Sequence, residues 1–290
     1  MKKDRYAYYD FTQERLGFEP VFLLGSCRSG KSSLGRLMGS LRDHYHVEED
    51  WLLLMLPLMA RAGLVDRRVF VNMARAWISE KVYDVVLMRS ASFRPTDHSY
   101  VARMKTAGDI ETALTRLRGR GDVDRYLRSS KVRVIFNLAE LGSCADLLKE
   151  IHPRALYIHV DRSADAQAAD IRAKAWYDQA QLVRPSNRQL YRLVRRNGRT
   201  LYLPFWVRPA HTEAFLRMGA EERARYYVSE HRRLTLRARR RAGRLRWVDV
   251  RYEDLLRDPP RVLKAVAPGA RAGGRTAELV RELRRRGRAS

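Results

Sequence analysis

A predicted strand, a glycine-rich turn and a predicted helix follow one another early in the sequence, and the turn carries residues suited to an oxyanion. The apolar run Pro20–Leu24 predicts the strand, and GSCRSGKS follows it at residues 25–32. Small residues let backbone N–H groups close around a phosphate or sulfate, and the next helix adds the positive end of its dipole. Arg28 and Lys31 add full charges. The pattern GxxxxGK[ST] is that of a P-loop, so the segment predicts an oxyanion site.

The remaining residues of this loop complete the predicted site. Three of them are hydroxyl donors: Ser29, Ser32 and Ser33. Gly30 opens the helix, and Cys27 precedes the first cation. A helix N-terminus and a neighbouring arginine can lower the pKa of a thiol, so a nucleophilic Cys27 is one interpretation. Because nothing nearby in the sequence completes a Cys/His pair, we interpret Cys27 as a small residue of the anion-binding loop.

An ATP- and Mg²⁺-dependent small-molecule kinase is one class of enzyme that this loop predicts. In that class Lys31 contacts the β- and γ-phosphates, and Ser32 holds the Mg²⁺. The chemistry also needs a carboxylate at the end of a neighbouring strand. Asp161 follows the apolar run Ala155–Val160 and meets that requirement.

The same loop resembles the 5′-phosphosulfate loop of sulfotransferases that use 3′-phosphoadenosine 5′-phosphosulfate (PAPS). In that family a basic residue precedes Ser or Thr, Gly and two hydroxyl residues, and Arg28, Ser29, Gly30, Lys31 and Ser32 stand at these positions. Lys31 departs from the usual Thr and brings the loop closer to a P-loop. The resemblance implies a P-loop-NTPase-like α/β fold. It also gives Arg28, assisted by Lys31, the task of stabilising the leaving group.

Two later segments extend the resemblance towards the C-terminus. RYEDLLRDP, at residues 251–259, is very similar to a C-terminal motif of sulfotransferases that kinases do not carry. The resemblance places Tyr252 in the adenine pocket. The Gly/Arg-rich stretch that contains Arg271 and Arg275 resembles the flexible basic segment that closes over the 3′-phosphate in some members.

A third block matches the family only in part. Sulfotransferases hold the 3′-phosphate with an Arg after a strand and a Ser in the next helix, and Arg162 stands at the first position while Asp170 stands at the second. A carboxylate beside a phosphate is repulsive unless it is bridged or protonated. The family's Lys-Thr-Pro motif is also absent from KVRVIFNLAEL at residues 131–141. These departures identify the chain as a divergent, bacterial-type member.

Sulfuryl transfer is an in-line displacement on sulfur, which needs positioned cations and a base for the acceptor hydroxyl or amine. Some members carry a catalytic Glu at the end of the strand after the loop. That position corresponds here to Glu49, with Glu48 as the alternative. Other members use a His from a later loop, and His98 is the corresponding candidate in this sequence. Capping of a helix that starts near Trp51 is the competing interpretation of both glutamates.

The elements that must position these residues alternate between strand and helix periods. Strands are predicted at residues 20–24, 82–88, 131–137, 155–160 and 245–250, and helices at about 30–42, 50–62, 65–81, 143–151, 164–180 and 221–241. Such alternation predicts an α/β fold with a mainly parallel central sheet flanked by helices. Ligands of these sheets bind at the carboxyl ends of the strands. We expect one sulfotransferase-like domain over residues 1–290, with a basic tail at about 271–290.

The charge of the chain points to an anionic ligand. The 290 residues include 58 Lys and Arg against 33 Asp and Glu, a formal charge of +25. Residues 181–290 hold 29 basic and 10 acidic side chains, so most of the excess lies late in the chain. A basic non-catalytic protein that binds nucleic acid or anionic lipid through the helix at 221–241 and the tail is therefore a further alternative.

Other features narrow the class of protein. Two cysteines exclude a disulfide scaffold, and the sequence contains no CxxC or HExxH cluster, so no metal is expected. The most apolar run, Trp51–Ala60, is too short to span a bilayer. We expect it to form part of the hydrophobic core or to line a partly apolar acceptor site. We expect a cytoplasmic enzyme that converts PAPS to 3′,5′-adenosine bisphosphate (PAP). We expect its acceptor to be a small molecule, a lipid or a saccharide. No stable complex with nucleic acid is expected, and the sequence is compatible with a homo-oligomer.

Overall fold

The computed structural model describes residues 18–97, 100–130, 132–186 and 189–289. Its strands are β1 (Glu19–Gly25), β2 (His44–Val47), β3 (Arg133–Ala139), β4 (Leu156–Asp161), β5 (Tyr191–Arg196), β6 (Arg199–Pro204) and β7 (Arg246–Arg251). Five of them form a sheet of order β2-β3-β1-β4-β7, in which every neighbouring pair is parallel. The predicted α/β class with a parallel central sheet is confirmed.

Helices cover both faces of this sheet. They are α1 (Lys31–Gly39), α2 (Trp51–Arg61), α3 (Arg67–Val86), α4 (Ala107–Arg116), α5 (Arg120–Ser129), α6 (Ala145–Ile151), α7 (Ala164–Ala173), α8 (Gln179–Val183), α9 (Thr212–Arg217), α10 (Ala220–Ala242), α11 (Tyr252–Arg257), α12 (Pro259–Val266) and α13 (Thr276–Ala289). Successive β1 side chains alternate between the two layers. Phe22 packs with buried residues of α2, α3 and α6, whereas Leu23 packs with α1, α11 and α13.

The strand predicted at Val82–Met88 is wrong, because this segment is the end of α3 and its exit turn. Five buried residues of α3 recur every fourth position: Phe70, Ala74, Ile78, Val82 and Val86. That spacing keeps them on one face of a helix, packed against the core. The apolar run is therefore the last turns of a long amphipathic helix.

Two further differences concern the second half of the chain. An antiparallel hairpin, β5–β6, follows α8 and was not predicted. The basic tail is largely a packed helix, since Leu279 and Leu283 of α13 are buried in the layer formed with α1 and α11. Among the described residues, no helix is both long and apolar enough to cross a bilayer.

The sheet order determines where the candidate site lies. Because all five strands run in the same direction, their carboxyl ends meet at one edge of the sheet. The residues that follow β1, β2, β3, β4 and β7 there are the loop 26–30, Glu48, Glu140, Arg162 and Tyr252. Segments that are far apart in the sequence therefore face one another.

Candidate active site

The phosphate loop forms the centre of this edge. β1 ends at Gly25 and α1 begins at Lys31, with Gly30 as its N-cap. Gly25 has φ 142° and Gly30 has φ 98°, values that L side chains rarely adopt. A Cβ at Gly30 would also overlap the ring of Tyr252. No side chain in the described part of the chain caps α1, so its first N–H groups remain available to an anion.

The two loop cations have different environments. Arg28 lies at the surface of the loop in the left-handed region, with φ 64° and a side chain 42% exposed. Lys31 is buried, and its Nζ donates to the Ser26 carbonyl oxygen at 2.6 Å. Ser29, also buried, lies within 3.5 Å of the same Nζ. Arg28 is thus the exposed cation, while Lys31 supports the loop from within.

The loop cysteine has a raised pKa, not a lowered one. Burial and the neighbouring Glu140 raise the pKa of the Cys27 thiol, and this outweighs the effect of Lys31. The backbone N–H of Cys27 donates to the Tyr227 hydroxyl at 2.7 Å, and that hydroxyl donates to Glu140 at 2.9 Å. Burial, together with the contact of Cys27 Sγ with Glu140 Oε1 at 3.4 Å, disfavours a thiolate nucleophile at this position.

A cation-lined cleft of about 650 Å³ opens above the loop. Eleven of its lining residues were singled out from the sequence: Cys27, Arg28, Gly30, Lys31, Ser32, Ser33, Glu48, Glu49, Arg162, Asp170 and Tyr252. Four lining residues were missed: Arg36, Arg103, Trp176 and Arg286. The only sequence signal for these was the helical spacing of Arg36, which lies one turn beyond Ser32. The other three come from elements whose packing the sequence did not reveal.

Glu48 is held in place by the loop and the sheet. It accepts hydrogen bonds from the Ser32 hydroxyl at 2.8 Å and from the side-chain amide of Asn137 at 2.5 Å. Burial alone would raise the pKa of Glu48, but His46 and the two hydrogen bonds lower it overall. A carboxylate that is stabilised in its charged form by fixed donors is a weak base and a good structural anchor.

Glu49 has the opposite environment. Its side chain is exposed to the cleft, and no hydrogen bond or ion pair to it occurs within the described residues. The surrounding walls still remove water, which raises the pKa of Glu49, and Lys31 offsets this only in part. A raised pKa makes a carboxylate a better proton acceptor near neutral pH.

A second pocket, of about 330 Å³, adjoins the cleft at Cys27, Glu49 and Trp176. One wall is α2, which contributes apolar side chains: Trp51, Leu54, Met55 and Leu58. Glu140 lines its other side, and burial raises the pKa of this carboxyl group. Sequence reasoning missed Glu140, although its position directly after a predicted central strand was a usable signal.

Asp170 is bound to both arginines that the resemblance assigns to the donor. Its Oδ2 lies 2.6 Å from Arg162 NH1 and 3.4 Å from Arg28 NH2. Burial tends to raise the pKa of Asp170, but the two arginines lower it overall. Arg162 also lies 5.3 Å above the Tyr252 ring. The carboxylate of Asp170 therefore takes the place that an anion between these arginines would occupy.

Four sequence-predicted residues do not line the cleft or lie outside the description: Ser29, which is buried within the loop, Arg271, Arg275 and His98. The segment that contains Arg271 and Arg275 packs on the far end of α1, where the Arg271 carbonyl accepts from the Arg42 N–H at 3.0 Å. Thr276, in the same segment, donates to the Ser40 carbonyl at 3.1 Å. His98 lies outside the described residues.

The residues that the kinase alternative needs have other partners. Asp161 accepts from the guanidinium group of Arg232 at 2.9 and 3.0 Å. Ser32 donates to Glu48, so its hydroxyl is part of the carboxylate anchor described above. Within the part of the chain that the structure describes, no group of three or more His, Cys, Asp or Glu side chains could hold a metal ion.

The basic helix α10 uses much of its charge within the protein. Five of its arginines pair with carboxylates: Arg225, Arg232, Arg233, Arg239 and Arg241. Arg223 is buried and donates to backbone carbonyls, including that of Phe215 at 3.1 Å. A nucleic-acid backbone would therefore meet less free charge on α10 than its sequence suggests.

Comparison with known proteins assigns the family. The sequence model described as "Sulfotransferase family" matches residues 20–268, most of the chain. The protein therefore belongs to the sulfotransferase family, and the resemblance based on the loop and the RYEDLLRDP segment is confirmed. Its parallel sheet, with the loop between β1 and α1, is the expected P-loop-like sulfotransferase fold. No curated protein gives a significant match.

Several solved sulfotransferase structures resemble the chain at low sequence identity. The sulfotransferase domain of the Synechococcus PCC 7002 olefin synthase is 16% identical, with a TM-score of 0.42 over 89% of this chain and 75% of that one. The sulfotransferase domain of the curacin biosynthetic pathway is 10% identical, with a TM-score of 0.42 over 86% and 72%. A sulfotransferase of Mycobacterium tuberculosis H37Rv is 15% identical, with a TM-score of 0.42 over 91% and 71%.

Proposed function

We propose that the chain acts as a single transferase domain that moves a sulfuryl group from PAPS to a hydroxyl or amine of an apolar small-molecule acceptor. One observation carries the proposal. Glu49, a carboxylate without a hydrogen bond among the described residues, lies where the cation-lined cleft meets the apolar pocket. Donor and acceptor bound in these two cavities would meet at a proton acceptor, as group transfer requires.

The residues of the cleft fit the donor. Gly25 and Gly30 have positive φ and pack closely on Val160 and Tyr252, which fixes the loop in front of the N–H groups that open α1. We assign binding of the 5′-phosphosulfate group to Arg28 and to the backbone N–H groups at the start of α1. Ser32 and Ser33 lie beside these groups. Tyr252, which packs over Gly30, would form one wall of the adenine pocket. PAPS supplies the sulfuryl group, and PAP is the product.

The proposed chemistry is divided among a few side chains. Glu49 accepts the proton of the acceptor hydroxyl or amine as the acceptor atom bonds to sulfur. Arg28 stabilises the negative charge on the bridging oxygen as the bond from sulfur to that oxygen breaks. Lys31, bound to the Ser26 carbonyl, keeps the loop in shape. Glu48 holds the start of α1 through Ser32.

The apolar pocket suggests the class of acceptor. In a chain with 58 basic residues, the described lining of this pocket contains two carboxyl residues, Glu49 and Glu140, and no Lys or Arg. The described lining therefore offers no cation to an anionic acceptor, whereas α2 offers Trp51 and Leu58 to an apolar body. We therefore propose a neutral alcohol or an amine with an apolar skeleton that fits about 330 Å³.

Calorimetric titration tests the proposal against the two alternatives. We expect PAP to bind with metal-independent micromolar affinity, and Arg28→Ala to weaken this binding at least tenfold, because a charge-assisted phosphate contact is lost. Arg128→Ala, on the exposed face of α5, is the charge-matched control and should bind PAP like the wild type. Binding of Mg-ATP without PAP binding would favour a kinase. Salt-sensitive binding of DNA or RNA alone would favour the non-catalytic alternative.

A further inference from the structure

Three guanidinium groups line one end of the cleft, and none of them belongs to the loop. Arg36 comes from α1, Arg103 from the 3-10 helix Val101–Arg103, and Arg286 from α13. Their elements converge because α13 packs along α1 and carries its last turns back to the phosphate-loop side. The cluster is assembled by tertiary structure alone.

The three guanidinium groups of this cluster repel one another. Burial, followed by the positive charges of Arg286 and Arg103, lowers the pKa of Arg36. Two carboxylates oppose this effect, Glu282 and Glu48. Glu282 pairs with Arg286 one turn along the exposed face of α13, and Glu48 is bonded by Ser32 and Asn137. Such mutual repulsion costs folding free energy and is relieved when an anion binds, so it marks a candidate ligand site.

At the other end of the cleft, the arginine expected to bind the 3′-phosphate already has a partner. Asp170 lies 2.6 Å from Arg162 and 3.4 Å from Arg28. A phosphate that entered between these arginines would meet the Asp170 carboxylate, and the repulsion would cancel much of the attraction. The cleft is therefore more favourable to a terminal phosphate at the Arg36 end than at the Arg162 end.

We propose that Arg36, Arg103 and Arg286 form the binding site for the 3′-phosphate of the nucleotide donor. The inference rests on the proposed PAPS-dependent function and concerns the same cleft. The Arg36 side chain reaches back along α1, with its Nε donating to the Ser32 carbonyl oxygen at 3.4 Å, so its guanidinium group lies about one helical turn, roughly 5 Å, from the start of the helix. This separation is of the order of one ribose, the unit that joins the 5′- and 3′-phosphate groups of the donor. Arg286 and Arg103 then contact the phosphate from the opposite walls.

Nucleotides with and without the 3′-phosphate test this assignment. We would titrate PAP and 5′-AMP into the full chain by calorimetry and compare Arg286→Ala with Arg285→Ala, a matched control on the same helix that does not line the cleft. Arg286→Ala should weaken PAP binding about tenfold or more and change 5′-AMP binding less than twofold. Arg103→Ala should act in the same direction, and Arg285→Ala should leave both affinities unchanged.

Asp170→Ser provides the opposing measurement. It restores the residue that the family places beside its arginine and removes one negative charge from the cleft. If the 3′-phosphate binds at the Arg36 end, both nucleotides gain affinity alike, and the PAP to 5′-AMP ratio stays within about twofold. A ratio that rises about tenfold, or PAP binding unaffected by Arg286→Ala, would overturn the assignment and leave the proposed function standing. A wild-type protein with no affinity for PAP would overturn both.

Discussion

Replacing Glu49 by Gln separates the proposed base from the structural carboxylate beside it. A positioned general base contributes roughly 10²–10⁴-fold to a rate, which corresponds to about 2.7–5.4 kcal/mol of activation free energy. We expect Glu49→Gln to lower kcat by that factor. Because no described residue hydrogen-bonds Glu49, the free energy of unfolding should change by less than about 0.5 kcal/mol. The affinity for PAP should also be unchanged.

Glu48→Gln is the matched control, and the structure predicts the reverse pattern. Glu48 accepts from Ser32 at 2.8 Å and from Asn137 at 2.5 Å. Removing its charge turns two charge-assisted hydrogen bonds into neutral ones, a loss of roughly 1 kcal/mol each, or about 2 kcal/mol in total. The Tm should fall by several degrees, and kcat should fall far less than in Glu49→Gln.

The assay is transfer of radiolabelled sulfuryl from PAPS to 2-naphthol, an apolar alcohol, together with thermal unfolding of each variant. The pH dependence gives an independent readout. Glu49 is active when deprotonated, so the wild-type rate should fall as the pH drops through a pKa that lies above the ordinary value of a glutamate. Glu49→Gln should lose this acid limb. Wild-type turnover and an unchanged acid limb in that variant would refute the assignment and transfer the role to Glu48 or His98.

Three other predictions follow from the surroundings of the site. Gly30→Ala should destabilise the fold by about 1–3 kcal/mol and weaken PAP binding, because φ is 98° there and a Cβ would overlap the Tyr252 ring. Gly63→Ala is the control: φ is 74° there with open space around it, so PAP binding should stay intact. Tyr227→Phe removes the hydroxyl group that accepts from the Cys27 N–H and donates to Glu140, so the free energy of unfolding in urea should fall by about 2–4 kcal/mol. A smaller change would show that the loop is held by other contacts. The carboxylated acceptor 6-hydroxy-2-naphthoate should have a kcat/KM at least about tenfold below that of 2-naphthol, because its carboxylate would lose water without meeting a cation in the described lining of the pocket. Equal rates would contradict the proposed acceptor class.

Local sequence patterns were sufficient for the centre of the fold. The apolar run before GSCRSGKS, the small residues of that turn and the helix after it are neighbours in the chain, so their structure follows from nearby residues. The hairpin β5–β6 also had a local signal that the interpretation missed. Asn197 and Gly198 separate its strands, both with positive φ, and an Asn-Gly pair between two strands favours a two-residue turn.

Where local signals were ambiguous, packing decided the structure. Val82–Met88 is as apolar as a buried strand, and a short apolar run does not distinguish strand from helix. Continuity with the buried face of α3 makes it helical. The helices α4 and α5 were not predicted, although the buried Val123 and Leu127 of α5 stand one helical turn apart.

The sequence alone determined the family and most of the residues around the cleft, because loop and motif lie in short continuous segments. Only the tertiary structure decided how their charges are arranged. It distinguishes adjacent Glu48 and Glu49 by their partners, one bonded to Asn137 of β3 and the other exposed to the cleft. It also pairs Asp170 with Arg28, 142 residues away, and brings Arg286 back beside α1. Such pairings depend on which strand ends and helices meet, and no spacing in the sequence records that.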